Sequence, residues 1–164
     1  SRTNAEILKG VYKAVSDAAA GAVIIGCNTV GHLITGYAHI QRIGDDTSGM
    51  EWARTRKMGV NTLAFRAGQN RTFFALDADC VGITEHIPWR LNAQWLDLLA
   101  RSGTPLFVSA KREVIGAEQR KALKAAFSMA SVQQPTAEPL DWMDTSCPAK
   151  WKLCGGKSEF NWTE

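Results

Sequence analysis

Short, uninterrupted apolar runs alternate along this chain with longer segments in which apolar residues recur every three or four positions, and few folds accommodate that alternation. Residues 4–20 carry Ile7, Leu8, Val11, Val15 and Ala18 at helical spacing and stop at Gly21. Residues 22–26 (AVIIG) then have the composition of a strand buried on both faces. A second apolar run over 38–43 leads into Gly44-Asp45-Asp46-Thr47. Residues 48–58 have helical character, 62–66 and 72–76 are strand-like, and Asp77-Ala78-Asp79-Cys80 closes the latter. Pro88 suits the first turn of a helix running through Trp95, Leu98 and Leu99 to Ser102. Gly103 breaks it, 105–109 (PLFVS) is another buried strand, and 117–130 is an amphipathic helix.

Buried strands alternating with amphipathic helices imply an α/β fold with a parallel sheet and βα connections. A complete eight-stranded βα barrel takes about 250 residues, so a chain of 164 has room for half of one. The expected architecture is four parallel strands near 22–26, 38–42, 73–76 and 104–108, curved as half a barrel with helices outside. Residues 1–132 are assigned to that half-barrel. Residues 133–164, rich in Pro, Trp and polar side chains, show no evident period and are expected to be a loose tail or a linker to a missing domain. Half a barrel leaves apolar side chains without partners. Ile24, Phe74 and Phe107 are therefore expected to be covered by a missing N-terminal half or by a second copy of the chain.

In parallel α/β folds the chemistry gathers at the C-terminal ends of the strands. Here those ends carry Cys27-Asn28, Arg42 to Asp46, Asp77 to Asp79, and Ser109-Ala110-Lys111. An aspartate after a strand also serves as an N-cap, so Asp45, Asp46 and Asp79 are open to that simpler assignment. Other classes are disfavoured. Nineteen basic and sixteen acidic residues are spread without a basic stripe, which argues against nucleic acid. No apolar run approaches the roughly 18–20 residues of a membrane span, and Ser1-Arg2-Thr3-Asn4 is no signal peptide, which leaves the compartment open. Cys27, Cys80, Cys147 and Cys154 form no CxxC pair, so neither a metal site nor any other cofactor is expected. No G-x-G-x-x-G or P-loop motif supports a nucleotide-binding domain.

The order and spacing of Ile25-Gly26-Cys27, Arg42-Ile43-Gly44-Asp45-Asp46, Asp77-Ala78-Asp79-Cys80 and Ser102-Gly103-Thr104-Pro105-Leu106-Phe107-Val108-Ser109 resembles the second half of melibiase-type α-galactosidases, a clan of retaining glycoside hydrolases. The resemblance covers roughly residues 1–142. It implies strands five to eight of a catalytic barrel, an α-linked galactoside or related sugar as substrate, and an acid/base carboxylate a few residues after an arginine. A retaining glycosidase needs a nucleophile and, about 5–5.5 Å away, a residue that protonates the leaving oxygen and then activates water. Counting from Arg42 selects Asp46 as acid/base; aligning on an Asp-x-Thr pattern selects Asp45. Arg42 and Asp79 would bind sugar hydroxyls, and Cys27 would line the pocket at the sugar's 2-position. Trp52, Trp89 and Trp95 are candidates for a stacking platform, with Trp95 better suited to the core. The chain departs from the family at Ala78, where Pro is usual, and the K-x-D nucleophile motif has no counterpart. The isolated chain is accordingly expected to be inactive. The competing expectation is a non-catalytic carbohydrate-binding or assembly module derived from half a barrel.

Overall fold

The computed structural model describes residues 1–164. Helix α1 (Asn4–Ala18) opens on a capping box: the Thr3 hydroxyl accepts the Glu6 N–H while the Glu6 carboxylate accepts the Thr3 N–H. Then follow β1 (Ile25–Gly26), a short α2 (Gly31–Ile34) and β2 (Ile40–Arg42). Helix α3 (Trp52–Arg54) runs through a π-helical stretch, Thr55–Val60, into α4 (Asn61–Arg66). Strands β3 (Ala75–Asp77) and β4 (Cys80–Ile83) precede α5 (Trp89–Ala100), β5 (Phe107–Ala110) and α6 (Ala117–Ala130). Three further strands close the chain: β6 (Glu138–Pro139), β7 (Lys150–Leu153) and β8 (Gly156–Glu159).

The fold is mixed α/β with parallel strands in small sheets. β1, β2 and β3 lie side by side and parallel, with Ile25 opposite Ile40 and Arg42 opposite Asp77. β4 pairs in parallel with β5, Cys80 opposite Phe107. Only Ala78 and Asp79 separate β3 from β4, and Asp79 sits in the left-handed region at φ +68°. The chain swivels there, so β3 bonds to β2 and β4 to β5.

Three sequence expectations need correction. Residues 62–66 are helical: Val60, Leu63 and Ala64 are buried at positions i, i+3 and i+4 of one helical face, and a short apolar run does not distinguish strand from helix. The helix expected over 48–58 begins at Trp52, because the backbone before it is pressed against β4. A Cβ on Gly49 (φ +80°) would lie 2.6 Å from the Gly82 carbonyl oxygen. The strand expected over 22–26 is ordered only at Ile25–Gly26, and nothing covers its outer side; Val23 and Ile25 are 67 % and 48 % exposed.

The tail is also not loose. β6, β7 and β8 form an antiparallel sheet, and Trp151, Leu153, Phe160 and Trp162 join the same apolar cluster as Leu76, Val81, Leu91, Trp95, Leu98 and Leu99. The seam is polar as well as apolar. Gln134 Nε2 donates to the Ala100 carbonyl (2.8 Å), and the indole N–H of Trp52 donates to the Trp162 carbonyl (2.9 Å). Gly103, at φ +72°, passes so close to Gln134 and Pro135 that a side chain there would strike their carbonyls. All four cysteines are free.

Apolar exposure falls elsewhere than expected. Phe74 is buried and Ile24 and Phe107 are half-buried. Among the exposed apolar side chains are Ile7, Val11 and Val15 of α1, Ile25 of β1 and Val23 just before it; others, such as Phe65, Phe127, Trp142 and Met143, are scattered over the rest of the surface.

Candidate active site

Parallel pairing brings the C-terminal ends of β2 and β3 to one edge, with their last residues, Arg42 and Asp77, directly opposite. Arg42 organises that edge. Its Nη2 donates to Asp79 Oδ1 at 2.5 Å, its Nη1 and Nη2 reach Asp46 Oδ1 at 2.9 and 3.2 Å, and its Nε lies 3.9 Å from Asp77 Oδ2. The guanidinium and the Asp77 and Asp79 carboxylates are mostly shielded from solvent, with side-chain exposures of 16 %, 10 % and 10 %, whereas Asp46 is open at 67 %. One arginine thus joins two inner carboxylates to an outer one. The neighbouring Gln41 is buried; its Nε2 donates to the Arg42 carbonyl while its Oε1 accepts from the Thr29 hydroxyl.

Asp79 also holds the loop after β2. Its Oδ2 accepts the Thr47 N–H (2.5 Å) and the Thr47 hydroxyl (3.0 Å). Its own N–H donates to Asp77 Oδ1 at 2.8 Å, which fixes the left-handed turn between β3 and β4. Arg42 occupies one oxygen of Asp79 and the Thr47 N–H the other, while the single Thr47 hydroxyl proton is shared between Asp79 Oδ2 and the Cys80 carbonyl, 2.6 Å away. That suits an organiser of the arginine and the loop better than a multivalent sugar ligand.

Helix capping is not what these aspartates do. α3 begins after Glu51 and α5 after Pro88, both without a side-chain cap. Asp45 turns away from Arg42 towards α3: its Oδ2 meets Arg54 Nη2 at 2.6 Å and its Oδ1 accepts the Asp46 N–H at 2.8 Å. Arg54 Nε also donates to the Asp46 carbonyl (2.7 Å). The Asp46 N–H, with the Arg54 cation adding to it, holds the Asp45 carboxyl below its ordinary range. Burial pushes the Asp77 carboxyl up, against the opposing pull of the Asp79 N–H and Arg42. Burial, reinforced by the Asp79 charge, pushes the Cys80 thiol up, so it remains protonated at neutral pH.

The structure therefore gathers Arg42, Asp46 and Asp79 and turns Asp45 away. Cys27 is exposed after β1 and makes no hydrogen bond to the cluster. Trp52 and Trp95 are buried, which removes them as a stacking platform; Trp89 is half-buried. No group of three or more His, Cys, Asp or Glu side chains is arranged to hold a metal ion. Sequence reasoning did not assign roles to Asp77, Thr47 or Arg54. The two-residue spacing of Asp77 and Asp79 at a strand end was a visible signal for the first, while Thr47 and Arg54 depend on how the loop folds. Neither a protein-family model nor a curated protein matches this chain.

Proposed function

We propose that this chain supplies half of the catalytic barrel of a retaining α-galactosidase-like glycoside hydrolase, with Asp46 as the acid/base. The observation that carries the reading is the arginine bridge from Asp46 to Asp79 across the C-terminal ends of adjacent parallel strands. A general acid must reach substrate and exchange its proton with water, and Asp46 is the exposed carboxylate of the cluster. Asp45 is directed away from Arg42 onto Arg54, outside the bridged cluster. Arg42 orients Asp46 and offers its remaining donor capacity to a sugar hydroxyl, and Asp79 keeps Arg42 and the loop in place. β1–β3 and β4–β5 are read as four barrel strands, the β3–β4 swivel forming one of them.

The nucleophile comes from a companion half of the barrel, seated against the free edge of β1 and the apolar stripe of α1. In the complete enzyme, Asp46→Asn should slow turnover of galactosides with poor leaving groups by about 10²–10⁴-fold. Aryl galactosides with good leaving groups should still form the glycosyl-enzyme and then stall. Asp45→Asn should be milder. Normal kinetics in the Asp46→Asn enzyme, or robust turnover of an aryl α-galactoside by these 164 residues alone, would overturn the assignment.

A further inference from the structure

Away from the Arg42 cluster, the π-helical stretch Thr55–Val60 presents two cations that no carboxylate neutralises. Arg56 and Lys57 take part in none of the ion pairs of the molecule. Both line an open cavity of about 390 Å³ with Ala53, Asn61, Ser146 and Cys147. None of these six residues is acidic. Arg56 is half-buried, and its Nε is buried without any hydrogen-bond partner. A desolvated N–H donor of that kind costs free energy unless something else supplies it with an acceptor.

The walls of the cavity are tied together. Asn61 Nδ2 donates to the Ser146 carbonyl at 2.5 Å, joining α4 to the tail. The Cys147 thiol, which faces Arg56, is pushed up by burial and stays neutral, so it does not act as the missing anion. Asp141, whose charge acts on Cys147, forms no ion pair with Arg56 or Lys57; its oxygens accept the N–H groups of Ala149 (3.2 Å) and Lys150 (3.0 Å). The π-helical turn is consistent with this, since such turns are frequent at functional sites. Here it places Arg56 and Lys57 at the cavity.

From this geometry we infer that the cavity is a binding site for a tetrahedral oxyanion of the phosphate or sulfate type, free or carried on a sugar. Arg56 supplies the planar, charge-assisted donors and Lys57 a mobile point charge. The volume admits a group larger than a bare ion. This inference does not depend on the glycosidase reading.

The test is an NMR titration of the isotopically labelled chain with inorganic phosphate, against sodium chloride at matched ionic strength. Saturable shifts are expected at the Arg56 Nε–H and the backbone amides of Arg56, Lys57, Ser146 and Cys147, in the range of about 1–10 mM. Arg56→Gln and Lys57→Gln should each weaken binding about tenfold or more. Lys57 is exposed, so its variant keeps the test decisive if Arg56→Gln fails to fold. A second arm compares a hexose 6-phosphate with the unphosphorylated hexose. Tighter binding of the ester than of inorganic phosphate assigns a sugar-borne group, and equal binding assigns the free ion. Shifts that sodium chloride reproduces, shifts that never saturate, or a folded Lys57→Gln chain that binds phosphate unchanged would overturn the site.

Discussion

Helices α1 and α5 both carry apolar residues at helical spacing, Ile7, Val11 and Val15 in the first and Leu91, Trp95, Leu98 and Leu99 in the second. All four in α5 are essentially inaccessible, whereas the three in α1 are each at least half exposed. α5 packs against β4 and α6, and its stripe belongs to one cluster with Val81, Trp151 and Trp162. α1 has α2 as its neighbour and no sheet over its stripe. The same pattern has therefore led to opposite environments. Periodicity declares that a face seeks burial, but only the rest of the fold supplies the surface that buries it.

That contrast can be tested by substitution, beginning at the closed side. Trp151→Ala removes a fully buried indole and should cost about 3–5 kcal/mol, measured by urea unfolding. A cost under about 1 kcal/mol would mean that the tail sheet is not integral to the core. Arg42→Met should be the next largest. It leaves Asp77 and Asp79 shielded without their cation, and since neither is wholly buried the loss should be about 2–3 kcal/mol, read from the same unfolding curves at neutral pH.

Asp77→Asn gives a smaller effect with a distinctive pH signature. Burial raises the folded-state carboxyl above its ordinary value of 3.8, so the folded chain holds that proton more tightly than the unfolded chain. The associated stability is fully present below pH 3.8 and is lost as pH rises through the raised value. The wild-type chain should therefore gain stability relative to Asp77→Asn as pH falls towards 4. Parallel unfolding curves for the two chains across that window would refute the burial argument. Smallest of all, Asp17→Asn breaks the exposed Lys13–Asp17 pair on α1 and should leave the unfolding curve unchanged within error.

Some of this organisation was legible before the structure and some was not, for definable reasons. The gathering of Arg42, Asp46 and Asp79 could be anticipated because parallel pairing carries all the strand ends to one edge. The swivel at Asp79 could not, since it needs a left-handed aspartate whose N–H is held by Asp77, and no spacing rule encodes that. The tail hid a readable signal. Lys150-Trp151-Lys152-Leu153 alternates polar and apolar residues and buries Trp151 and Leu153, but a four-residue alternation among Pro and Trp is easily overlooked. Residues 62–66 misled in the other direction, because the helix they extend begins ten residues earlier at Trp52.

The tail has an optical consequence. The indole N–H groups of Trp151 and Trp162 both donate to the Pro148 carbonyl, at 2.8 and 2.6 Å, and with Trp52 and Trp95 they make four indoles screened from water. Trp142, 47 % exposed and edge-on to Phe65, stands in solvent. Native fluorescence should therefore be dominated by short-wavelength emission that iodide cannot quench, with a minor red component that it can. Detachment of the tail would expose the pair at Pro148 together, so a red shift would report that event.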